Sequence, residues 1–167
     1  MKSLLMNSLT GGIILIAGCF AGCGAGTDAV KPDGVLGVMV RSQLPAAYQA
    51  AYDTVQIERD FIELIRIAGE GVETKVFLGT WCSDSRREVP RFLKVMDLAG
   101  ASPAAFTLIG LDRKMKSPGG SEAPFHIERV PTFVFLKQGK EIGRIVETPH
   151  TSIEGDMVTI LASGMNQ

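Results

Sequence analysis

The sequence has little of several things that would have narrowed its class at once. Among 167 residues there are three cysteines, two histidines and one tryptophan. Cys19, Cys23 and Cys82 are too few and too unevenly spaced for a disulfide framework, and no zinc-type pairs of Cys and His occur. Charge of one sign is also lacking: 17 basic residues face 18 acidic ones, a net charge of −1. A nucleic-acid binder usually carries a basic excess or stripe, so no nucleic-acid partner is expected. No metal or cofactor site is expected either. What is present is enough chain for one domain with a real core, needing no disulfide or metal to hold it.

The first stretch, MKSLLMNSLTGGIILIAGC, has a basic start at Lys2, an apolar run and small residues at its end. That is the pattern of a secretory signal, and the apolar part is too short for a comfortable membrane-spanning helix. The ending "LIAGC" resembles a bacterial lipobox. The resemblance implies a signal over residues 1–18 and a lipid on Cys19; Cys23 in "FAGC" is the alternative, and a plain signal or uncleaved anchor is the other reading. "GCGAGTDAVKPDG" then reads as a flexible tether within 19–42, leaving a domain over 43–167. Lipidation would place that domain on a membrane of the cell envelope without spanning it. Export would put it where disulfides persist, facing the periplasm if the cell has two membranes.

Along the rest of the chain, "GVLGVMV" is ambiguous between a strand and the lead into a helix. Residues 44–71 carry apolar side chains at a helical period, with Gly69 and Gly71 as stops. "ETKVFLG" and "AAFTLIGLD" are continuous apolar runs, suited to buried strands. Between them "SRREVPRFLKVMDLAG" reads as a helix bent at Pro90 and ended by Gly100. "RKMKSPGGSEAP" is a polar loop. "PTFVFLKQGKEIGRIVE" reads as a hairpin turning at Gln138-Gly139, and "SIEGDMVTILAS" as a last helix capped by Ser152. Two strand–helix–strand links predict an α/β fold with a parallel core, to which the hairpin adds an antiparallel edge.

Ordered motifs within this frame resemble the thioredoxin family. "TWCSDS" follows a buried strand and opens a helix, as the family's Trp-Cys-x-x-Cys motif does. Pro90 lies eight residues after Cys82, where the family's helix is kinked. "RVPTFVFLKQGKEIGRIV" resembles the family's Val/Ile-Pro-Thr segment and hairpin, and the terminal helix is in place. The resemblance covers roughly residues 50–165 and is nearest to exported bacterial thioredoxin-like proteins. It implies a thioredoxin-like fold, a central mixed sheet flanked by helices, with Pro131 cis and facing the thiol. It also implies that Val130 offers its backbone to an extended client and that Trp81 forms part of the client surface; ordinary packing is the plainer role for Trp81, a turn proline for Pro131.

Two departures stand out. Ser85 takes the place of the second, resolving cysteine, and Val76 stands where the family buries an acidic residue. A thiol reacts as thiolate, and a helix N-terminus favours negative charge. Arg86 and Arg87 add to this if they point back; as a solvated helix face they do not, and Asp84 opposes it. Ser85 can hydrogen-bond to the thiolate or cap the helix, but cannot form a disulfide. Cys82 is therefore left with mixed disulfides to exported proteins or small thiols, resolved from outside, as in isomerisation or deglutathionylation. The alternative is a redox-inactive binding module that uses the groove at Pro131. His126, His150, Asp112-Arg113-Lys114 and Gly119-Gly120 read as surface or loop residues, though the Asp-Arg-Lys run after a strand could shape the rim of the site.

Overall fold

The computed structural model describes residues 33–165. The expected signal, tether start, Cys19 and Cys23 lie outside the described residues. Five strands form one sheet: β1 (Gly37–Met39), β2 (Val72–Leu78), β3 (Phe106–Gly110), β4 (Thr132–Lys137) and β5 (Lys140–Val146). Four helices accompany them: α1 (Ala46–Thr54), α2 (Ile62–Ala68), α3 (Ser83–Leu98) and α4 (Ile153–Gly164). The sheet order is β1-β3-β2-β4-β5.

The sheet is mixed, but less parallel than the sequence suggests. β2 and β3 run parallel, with Val76 beside Leu108; β1–β3, β2–β4 and β4–β5 are antiparallel. Of the two expected strand–helix–strand links, only the one through α3 returns parallel. The ambiguous segment from Gly34 becomes the edge strand β1. The fold therefore starts before residue 43, and residues 37–39, assigned to the tether, are part of the sheet. Three residues are too few for their alternation to declare a strand, and β1 exists because β3 offers it an edge.

The predicted helix over 44–71 is also divided. α1 ends at Thr54, Val55 is extended (ψ 136°), and a short turn leads into α2. The carbonyls freed there are satisfied from α3. Lys94 Nζ donates to the Tyr52 and Val55 carbonyls at 3.0 and 2.9 Å, and Arg91 donates to that of Gln56 at 3.0 Å. The buried Glu154 of α4 accepts from the Glu58 amide and from Arg91. Cations some forty residues downstream thus stabilise a break that local periodicity does not reveal.

Other local signals hold. α3 runs through Pro90 and ends in a glycine cap: Gly100 (φ 70°) donates to Asp97 and Ala101 to Met96, the Schellman pattern. Gln138 and Gly139 both have positive φ, 52° and 77°, as a two-residue I′ hairpin turn requires. Ser152 Oγ accepts from the Gly155 amide and caps α4.

The helices flank the sheet on one face. Tyr48, Ile65, Phe92, Leu93 and Met157 from the four helices join Val76, Leu78, Leu108, Phe133 and Phe135 in one core. The other face carries Phe77, Ile109, Leu111, Val134 and Leu136. It is covered by the β3–β4 connection through Ile127, Val130, Met115 and Phe125, and the thiol site opens at its end.

Candidate functional site

β2 ends at Leu78, and four residues separate it from α3. The turn between them, Gly79–Cys82, is closed by the Cys82 amide donating to the Gly79 carbonyl at 2.9 Å. Cys82 is the N-cap of α3: its backbone is extended (φ −87°, ψ 133°) and its carbonyl accepts from the Arg86 amide. The side chain is half-buried, and among the described residues it forms no disulfide. Its Sγ–H donates to the Val130 carbonyl at 3.3 Å.

Val130 and Pro131, joined by a cis peptide bond, face the thiol from the loop before β4. That loop is tied down on both sides. The Glu147 amide donates to the Pro131 carbonyl at 2.7 Å, Thr132 Oγ1 donates to the Arg129 carbonyl at 2.7 Å, and Arg129 pairs with Glu147 at 2.8 Å. Trp81 immediately precedes Cys82 and packs in the same apolar cluster as Val130. Its Nε1–H donates to the Leu111 carbonyl at 2.9 Å, its ring fills the space a Gly79 side chain would occupy, and Arg113 stacks over it at 4.6 Å. The Asp112-Arg113-Lys114 run thus reaches the rim of the site. Asp112 Oδ1 holds the loop's shape by accepting from the Lys114 and Lys116 amides, both at 2.8 Å.

Ser85 does neither thing expected of it. Its side chain is fully buried, and Oγ accepts from the Gly79 amide at 3.1 Å rather than capping α3; α3 has no side-chain cap. One turn into α3, Ser85 points back toward the end of β2, and the hydroxyl anchors the turn that carries the thiol. Arg87 is committed to carboxylates, Asp84 at 2.8 Å and the buried Glu88 at 2.6 Å, so it does not reach back to Cys82. Arg86 is exposed. Val76 is fully buried between Leu108 and Phe133, so the position holds no acid. His126 and His150 lie exposed on loops.

One residue of this neighbourhood was not singled out from sequence. Tyr48 of α1 is 2% exposed, and its hydroxyl donates to the Gly79 carbonyl at 3.3 Å. Burial pushes its phenol well above the ordinary range, and the nearby Cys82 pushes it further; Arg86 and a polar contact with Ser85 oppose this. The available signal was its place four residues before Tyr52 on one face of α1.

The fold and site define an α/β protein that presents one thiol at a helix start, opposite a cis-proline loop. No family model matches the sequence. Thioredoxin H-type 1 of Nicotiana tabacum is 32% identical to it over 95 residues, 53% of this chain and 70% of that protein. The chain belongs to the thioredoxin-like superfamily, which links it in general terms to thiol–disulfide exchange. Among solved structures, a Pseudomonas aeruginosa protein of unknown function aligns at a TM-score of 0.50 and 14% identity, over 72% of this chain and 83% of that one, a likeness of fold. Fasciola hepatica thioredoxin aligns at a TM-score of 0.36 and 23% identity, over 52% and 78%.

Proposed function

We propose that this chain is an exported, lipid-anchored, thioredoxin-like monothiol protein. In this reading it exchanges disulfides with exported proteins or small thiols through Cys82. The observation that carries it is the placing of a half-exposed Cys82 at the start of α3 against the Val130–Pro131 loop, with a buried serine where a second thiol would stand. The Cys82 thiolate attacks one sulfur of a client disulfide. A Cys82–client disulfide forms, the client S–S bond breaks, and the other client sulfur leaves as thiolate. Ser85 cannot resolve this, so a second thiolate, from the client or a small thiol, attacks the client sulfur and releases Cys82. No net electrons are gained or lost by the protein. Val130 and Pro131 border the client strand, and Trp81 forms part of the client surface. The anchor is Cys19. Among the described residues no helix is long and apolar enough to cross a membrane.

The second reading, a redox-inactive binding module, is favoured by one observation: the missing acid at Val76, which leaves an apolar residue behind the turn. Incubating the reduced full chain with glutathione disulfide separates the two. Intact mass and peptide mapping should find one glutathionyl group on Cys82, removable by a small thiol and lost in Cys82→Ser. Recovery of Cys82 unmodified while Cys23 reacts would favour the module.

A further inference from the structure

We infer that Tyr48 is a positioning residue of the thiol site, acting with Ser85 through Gly79; this rests on Cys82 being the reacting group. Gly79 is the first residue of the turn that carries Trp81 and Cys82, and both of its backbone polar groups are held by side chains. Its amide donates to Ser85 Oγ of α3, and its carbonyl accepts from Tyr48 Oη of α1 as well as from the Cys82 amide. Both side chains are buried, Ser85 at 0% and Tyr48 at 2% exposure. Two helices thus clamp one residue through the peptide units on either side of it, and the clamp sets where the turn delivers the sulfur.

The residue types suit the task. A hydroxyl is a good acceptor for the Gly79 amide, whereas a thiol at position 85 would be a weak one. Ser85 is then a part of the site rather than the trace of a lost cysteine. Tyr48 brings a buried donor that stays protonated, so its bond to Gly79 persists across the range in which thiols react. The α1 break keeps this helix in place: Lys94 and Arg91 of α3 hold the carbonyls at and beyond its end.

With the clamp removed, the turn loosens and the sulfur no longer stays at the α3 N-terminus, where amides and the helix dipole favour the thiolate. The test is the rate of Cys82 alkylation by iodoacetamide against pH. It uses the reduced full chain, with the adduct located by peptide mapping. Tyr48→Phe should displace the profile upward by about half to one pH unit and slow the reaction at pH 7 about three- to tenfold. Ser85→Ala should shift it the same way, and the double variant should shift it by less than the sum, because both act through Gly79. Tyr52→Phe, the same change on the same helix but bonded to Asp97, should leave the profile alone. A wild-type profile in folded Tyr48→Phe overturns the positioning role and leaves the monothiol reading standing. Should Tyr48→Phe fail to fold, an unmoved profile in Ser85→Ala overturns it instead. An unreactive Cys82 in the wild-type chain overturns both.

Discussion

Gly79→Ala tests the packing of the site at one atom. The Gly79 backbone does not need glycine's conformational freedom, so the substitution acts through space alone. A methyl there would sit 2.7 Å from Trp81 Cε2, 2.9 Å from Cζ2 and 3.0 Å from Nε1. Real carbon contacts do not come that close, and the indole must move. Its displacement breaks the Nε1–H bond to the Leu111 carbonyl and unstacks Arg113. Overpacking of this kind costs about 1–3 kcal/mol and the lost hydrogen bond about 1 kcal/mol more, so the change should cost about 2–4 kcal/mol. For a domain of this size that lowers Tm by about 6–15 °C. Trp81 is the chain's one tryptophan, so its fluorescence reports the displacement without interference. Emission should shift to the red as the ring meets water. Unchanged emission and an unchanged Tm would refute the assigned seat of Trp81 over Gly79, and with it the geometry of the turn.

Three further outcomes follow from the same structure. Lys94→Met should cost about 1–3 kcal/mol, read as a lowered urea midpoint, because two carbonyls at the end of α1 lose a charged donor; an unchanged midpoint would mean that the α1 break does not depend on it. Phe92→Ala should cost about 3–5 kcal/mol, since the ring is fully buried and packs on Phe106 and Phe133 at 5.7 and 5.1 Å between centroids; a cost under 1 kcal/mol would contradict this core. The Ser117 hydroxyl, against some burial, then backbone amides and Lys116, hold the Glu122 carboxyl below its ordinary value of 4.5. A depressed acid stabilises the fold above that value and loses its contribution as pH falls through the folded one. Glu122→Gln should therefore flatten the decline of Tm with acid below pH 4.5, and an identical decline would refute the assignment.

What the sequence discloses is mostly what is local. The start of α3 at Cys82, the Gly100 stop, the Gln138-Gly139 turn and the Ser152 cap each depend on residues within one turn of each other, and each is where the sequence puts it. The site residues Trp81, Cys82, Val130 and Pro131 come together because their motifs belong to a known fold, not because spacing alone requires it. What stays hidden is set at a distance. The end of α1 depends on Lys94 and Arg91, far along the chain. β1 is three residues long and owes its existence to an open edge on β3. Ser85 has two chemically reasonable partners by sequence, the thiol and the helix end, and the fold gives it a third, the Gly79 amide. Tyr48 looks like one more apolar-face residue until the end of β2 is placed beside it.

The central claim is that Cys82 is a reactive thiol rather than a packed small side chain. The direct measurement compares its iodoacetamide alkylation rate at pH 7 in the native full chain with the rate in the same chain unfolded in urea, each followed by peptide mapping. Faster reaction is expected in the native chain, because the fold sets the sulfur at the start of α3, where a helix N-terminus favours a thiolate. Slower reaction in the native chain would contradict it, and would leave a thioredoxin frame whose thiol serves only to fill space.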